Sequence, residues 1–241
     1  MHITSIISSI IIISVLILTG FITIYLINCQ KNENFINYKV NDKYFKVIEA
    51  IANHDDAAEI LYKIDNNLTK LIQFIDLKHS NLNVNNIKDN SGSNSESNSG
   101  MVIEKENFIK EIIRKLNNNY KSDSLQENIP KVPMQDVSYN INKGELMSIC
   151  IRKYEDIYKF HNTNDILFVS IHELAHSCNT SYGHDKKFWK IFRFLLENAI
   201  EMKIFKNINY NKFPVKYCSM SITYNPIFDK TLDDKYYFKY S

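Results

Sequence analysis

Glycine and proline are nearly missing from this chain, with five glycines and four prolines in 241 residues. Their scarcity excludes collagen-like and Gly/Pro-rich low-complexity architectures and makes each glycine in a folded segment worth locating. Gly20 lies in an apolar run, and Gly92 and Gly100 lie in a polar stretch, which leaves Gly144 and Gly183. A dominant charge is missing too. Lys and Arg (29) balance Asp and Glu (27) for a formal net charge of +2, so no global basic field points to nucleic acid or anionic lipid. The cysteines, Cys29, Cys150, Cys178 and Cys218, form no CxxC pair. That argues against a zinc ribbon or a dense disulfide framework, and reduced thiols are the expectation.

Charge is also absent from Ile3 to Ile27, a run dominated by Ile, Leu, Val and Phe. Such a length can cross a bilayer. No basic leader or small-residue cleavage site marks it as a removable signal, so residues 1–30 are expected to be an uncleaved transmembrane anchor. Lys31, Lys39, Lys43 and Lys46 follow the run and no Lys or Arg precedes it, which places the C-terminal part on the cytoplasmic side. The sequons at Asn67 and Asn179 would matter only on the lumenal side. Cys29, at the membrane edge, is read as an unmodified thiol, with palmitoylation as the alternative.

Helical spacing predicts helices over 42–53 and 56–78, the second carried by Ala57, Ile60, Leu61, Ile64, Leu68, Leu71, Ile72 and Ile75, so residues 31–79 read as a helical region. Residues 80–100 turn to Asn, Ser and Gly and read as a flexible linker. Residues 101–241 then form one α+β domain with a small antiparallel sheet. A helix runs through Phe108, Ile112 and Leu116, and Pro130 and Pro133 break the pattern. Strands at Val137–Ile141 and Leu146–Arg152 flank the turn Asn142-Lys143-Gly144-Glu145. Capping residues within Asn162–Asp165 open an apolar helix, and a last helix spans Asp185–Ile204.

The chemistry gathers in His172-Glu173-Leu174-Ala175-His176, followed by Gly183-His184. Two histidines four apart on a helix share one face and can grip one ion. Glu173, one residue along, can reach a water on that ion. Gly183 permits the sharp turn that brings His184 back as a third ligand. Three protein ligands leave one position open, as a catalytic zinc requires. One Zn2+ on His172, His176 and His184, with Glu173 as general base, would hydrolyse peptide bonds. Cys178 lies two residues past His176 and points to the other side of the helix, as a buried thiol rather than a fourth ligand. His161 has no partner at ligand spacing and reads as a cap or an exposed side chain.

The HExxH segment with Gly183-His184-Asp185-Lys186-Lys187-Phe188-Trp189 resembles the WLM family of minimal zincin metallopeptidases, which are related to the SprT-like proteases. The likeness extends to the version found in large DNA viruses through Ser138–Lys143 and Pro214–Met220, and covers about residues 103–227. It implies a zincin-like fold, zinc on the three histidines, Glu173 as base and a protein or peptide substrate. Seven residues separate His176 from His184, more than is usual in the family, so the connecting loop is longer; Ser219 stands where the viral version has glycine. In zincins the substrate commonly lies along an edge strand, and the Val137–Arg152 hairpin is the candidate here. Met220 reads as core packing, with a floor beneath the site as the alternative. Either Tyr182 or Tyr217 is the candidate oxyanion stabiliser. Cellular relatives act on proteins crosslinked to DNA, a role that the anchor and the near-neutral charge fit poorly. The reading is a membrane-anchored viral zinc metallopeptidase with no nucleic-acid partner indicated and no oligomeric state specified. The alternatives are a noncatalytic viral membrane or virion protein that binds through a zincin fold, and a protease of DNA-linked proteins.

Overall fold

A long helical periodicity, Leu61, Ile64, Leu68, Leu71, Ile72 and Ile75, becomes the buried face of α1 (His54–Lys78). The structure, a computed structural model, describes residues 14–15, 17–20, 34–80, 96–128 and 137–232. The chain divides into two units, Met1–Asn34 and Phe35–Ser241. In the first, residues 14–15 and 17–20 are helical, and the rest of the expected anchor, with Cys29, lies outside the described residues. Among the described residues no helix is long and apolar enough to cross a membrane.

The second unit is built on a five-stranded sheet of β1 (Phe35–Val40), β2 (Lys43–Ile48), β3 (Leu125–Asn128), β4 (Tyr139–Ile141) and β5 (Leu146–Cys150), in the order β1-β2-β3-β5-β4. β1–β2 and β4–β5 are antiparallel, whereas β2–β3 and β3–β5 are parallel. The sheet is therefore mixed, not antiparallel as expected. α1 and α2 (Glu96–Asn119) lie between β2 and β3 in the chain and supply the crossover that a parallel pair needs. α3 (Thr163–Cys178), α4 (Lys186–Glu201) and a hairpin of β6 (Val215–Tyr217) and β7 (Met220–Ile222) complete the unit.

The helix expected over 42–53 is instead β2 and the turn after it. Phe45 and Val47 are buried while Tyr44 and Lys46, each one residue before them, are exposed, a period of two. β3 went unrecognised in the sequence because it is polar: Leu125-Gln126-Glu127-Asn128 is buried throughout. Its polar groups are satisfied internally. Glu127 accepts from the Ile48 amide at 2.9 Å and from the Arg152 guanidinium, and the Asn128 amide donates to the Val137 carbonyl at 2.8 Å. Burial pushes the Glu127 carboxyl up against the pull of Arg152.

The β4–β5 hairpin forms as expected, with Ile141 facing Leu146 across the turn. Gly144 has φ 122°, and a Cβ there would sit 2.3 Å from the Asn119 carbonyl oxygen, so the turn accepts only glycine. Residues 81–95 of the expected linker, and Pro130 and Pro133, lie outside the described residues, while residues 96–100 form the start of α2.

The expectation of reduced thiols is corrected for one pair: Cys150 at the end of β5 is bonded to Cys218 in the β6–β7 turn. A separation of 68 residues hides in the sequence what the folded chain brings together. Cys178 is free and buried, as expected, and burial pushes its thiol up to about 12.

Candidate metal centre

Asn162 opens α3 by accepting the Asn164 amide at 2.8 Å, and Ile166, Leu167, Phe168, Ile171 and Leu174 then bury the helix in the core. This burial fixes the rotation of α3 and sets His172, Glu173 and His176 at a cleft. The loop to α4 returns through Gly183 at φ 86° and delivers His184 to the same place. The Nε2 atom of His184 lies 2.9 Å from that of His172 and 3.1 Å from that of His176. Among the described residues, these three are the one group of three or more His, Cys, Asp or Glu side chains whose ligand atoms all lie close enough for a metal, within 4.8 Å of one another.

Three ligands around a tetrahedral zinc at 2.0–2.1 Å sit about 3.3 Å from each other, close to the spacing found here. Neutral imidazoles meeting through one nitrogen each cannot satisfy one another all round, because each such nitrogen only donates or only accepts. A cation at their centre resolves the conflict, so the donor set fits zinc. Burial and the neighbouring imidazoles hold His172 well below its ordinary pKa. Burial lowers His176 to about 4, helped by His184, and burial lowers His184 as well. All three are shifted toward the neutral form, which offers a lone pair.

Aromatic rings of α4 hold the histidines in place. His176 stacks on Phe188 at 4.3 Å, His184 stacks on Trp189 at 5.4 Å, and His172 meets the edges of Phe188 and Phe192. Asp185, next to His184, caps α4 by accepting the Phe188 amide at 2.7 Å and also accepts from Ser181 and Asn179. Lys143 donates to the Ser181 carbonyl at 2.7 Å. From edge strand β4, the Asn140 amide donates to the Glu173 carbonyl at 2.8 Å and to Ser177 Oγ at 2.6 Å. Asn140 and Asp185 were not singled out in the sequence, where an isolated Asn or Asp carries no spacing signal.

Glu173 is 5% exposed and lines the cleft with His172 and His184. Cys178 stays apart from the cluster, at the end of α3 with its thiol toward the Ile112 carbonyl of α2. Asn179 is 1% exposed and its amide is engaged by Ser181 and Asp185, so in the folded domain its sequon is closed. Tyr182 is 92% exposed beneath the Lys143 ammonium, and the Tyr217 hydroxyl donates to the Cys150 carbonyl. Met220, expected in the core, is 53% exposed along the cleft, at the start of β7, where Ile222 and not Met220 is the buried residue. His161, expected to cap or face solvent, stacks on Tyr217 at 4.6 Å and accepts the Cys218 amide at 2.9 Å.

A histidine pair and a carboxylate on one buried helix, with a third histidine from the next loop, are the layout of a zincin-type protease. Residues 79–214, more than half of the chain, match the WLM domain, and the chain belongs to the WLM family. It is similar to the uncharacterized protein R325 of Acanthamoeba polyphaga mimivirus, 27% identical over 89% of this chain and 96% of that one. Uncharacterized protein 136R of Invertebrate iridescent virus 6 is 32% identical over 34% of this chain and 44% of its own length. Among solved structures, Wss1 from Saccharomyces cerevisiae is similar at 26% identity and a TM-score of 0.32, over 43% of this chain and 82% of that chain.

Proposed function

We propose that this chain is a viral, membrane-anchored zinc metallopeptidase that hydrolyses peptide bonds. The observation that carries the reading is the convergence of the His172, His176 and His184 Nε2 atoms at ligand spacing beside Glu173. A zinc ion held there would supply Lewis acidity, lowering the pKa of a bound water to about 7 and polarising the scissile carbonyl. Glu173 is the carboxylate placed to accept a proton at this site and would return it to the leaving amine. Asn140 keeps Glu173 in register with β4, along whose edge a peptide can add as a strand. The anchor rests on the uncharged run from Ile3 to Ile27, and the viral origin on the kinship with R325 and 136R.

The test is zinc content and cleavage together. The purified chain should carry about one zinc ion, in line with its three-histidine site. Chelation should stop cleavage of a mixed peptide library, and added zinc should restore it. Zinc without cleavage would favour a noncatalytic binding protein, and stimulation by DNA would favour a protease of DNA-linked substrates.

Asp185 fixes the loop that carries His184. Asp185→Ala should weaken zinc binding about 10- to 100-fold and cost about 1 kcal/mol of stability, while Asp185→Asn, also a good cap, should retain most of both. Competition with a chromogenic chelator and urea melts measure the two effects. Unchanged zinc affinity in the alanine variant would mean that the loop is held without Asp185.

A further inference from the structure

We propose that the cleft beside the histidines is a specificity pocket for one bulky apolar side chain, aromatic or branched aliphatic, next to the scissile bond. The proposal rests on the peptidase reading of the site and names what that site selects. The cleft encloses about 490 Å3 and runs directly from His172, Glu173 and His184. Its walls are Val169, Trp189, Phe192, Tyr217, Ile222 and Tyr224, among others. Apart from the site's own Glu173 and histidines, no charged residue lines it among the described residues.

Three polar groups of the wall, Tyr217, Tyr224 and Ser138, are already engaged, and Ser219, Ser221 and Thr223 line the remainder with uncharged hydroxyls. Tyr217 donates to the Cys150 carbonyl, Tyr224 donates to Asp229 at 2.7 Å, and Ser138 Oγ accepts the Cys150 amide at 3.0 Å. A charged side chain entering here loses its hydration and meets no counter-charge beyond the site's own Glu173, whereas an apolar one gains by leaving water. The far wall is held open by its attachments, since the β6–β7 hairpin is tied to the end of β5 by the Cys150–Cys218 disulfide and to His161 through the Cys218 amide. A pocket formed before the ligand arrives loses little to ordering on binding.

The chain reports on its own pocket, because Trp189 is the single tryptophan in the sequence and lines this cleft. Full-length Glu173→Gln protein is titrated with peptides that differ at one position, Ala, Leu, Phe, Asp or Lys, and binding is read from Trp189 fluorescence. The same peptides are assayed for cleavage by the unmodified chain. Leu and Phe should exceed Ala by about 10- to 200-fold at one position flanking the bond, with Asp and Lys below Ala. Val169 is half-buried, three residues before His172 on α3, and Val169→Asp should turn the preference toward Lys. Binding that ignores the varied side chain, or favours a charged one, overturns the pocket even if cleavage proceeds. Selective binding without cleavage by the unmodified chain keeps the pocket and overturns the peptidase reading instead.

Discussion

Glu173→Gln is expected to lower kcat about 10²- to 10⁴-fold while zinc stays bound in the amount carried by the unmodified chain. Glutamine keeps the length and shape of glutamate and can still accept a hydrogen bond, but it cannot take a proton. Glu173 contributes no atom to the histidine cluster, so its replacement should spare the metal. The neighbouring substitution His172→Ala should behave differently, because it removes one of three nitrogens that approach within hydrogen-bonding distance of another, and both zinc and activity should be lost. The informative measurement is zinc stoichiometry beside single-turnover peptide cleavage for both variants. Full activity in Glu173→Gln would remove the carboxylate from the chemistry and leave zinc as a structural or binding element. Loss of zinc in that variant would assign Glu173 to holding the metal.

Residues whose roles depend on local spacing could be read from the chain directly. His172 and His176 share a face because a helix places residues four apart together. Asn162 and Asp165 begin the run where α3 starts, and Gly144 sits in a turn that tolerates no side chain. His184 is expected to return toward the helix because Gly183 precedes it, and the structure brings its ring to the other two. What local pattern could not supply was pairing across distance. β3 is polar, and its strand character comes from being sandwiched between β2 and β5, with Glu127 neutralised by Arg152 from beyond β5. β2 resembled a helix because Tyr44, Phe45, Val47 and Ile48 crowd together, and only pairing with β1 and β3 decides in favour of the two-residue period. Asn140 belongs to the same class, because it acts by reaching a carbonyl on a neighbouring element and that reach leaves no mark in the sequence. Asp185 caps its own helix, which local pattern can mark, but its hold on Ser181 and Asn179 in the preceding loop is visible only in the fold.

Breaking the Cys150–Cys218 bond should destabilise the Phe35–Ser241 unit by about 4 kcal/mol, the loop-closure entropy expected for a 68-residue separation. For a unit of this size the midpoint of thermal unfolding should fall by roughly 10 °C. The paired Cys150→Ala and Cys218→Ala variant, compared with the unmodified chain before and after reduction, measures this loss; equal midpoints in all three states would mean that the pair carries no stability. The bond also bears on where the domain works. Lys31, Lys39, Lys43 and Lys46 after the uncharged run favour the cytoplasmic side, yet disulfides persist in oxidising compartments and are rare where glutathione keeps thiols reduced. Both signals cannot govern the same resting state. If the lysines set the orientation, the pair should be largely reduced in cells and the β6–β7 wall of the cleft left to the Tyr217 and His161 hydrogen bonds and the core packing of Tyr217 and Ile222. If the disulfide reports the compartment, the domain should be oxidised and sealed from added protease in intact microsomes. Thiol labelling of Cys150 and Cys218 in the same protease-protection experiment separates the two. An oxidised, protected domain would overturn the cytoplasmic orientation, and a reduced, digestible one would make redox state a determinant of how firmly the cleft is built.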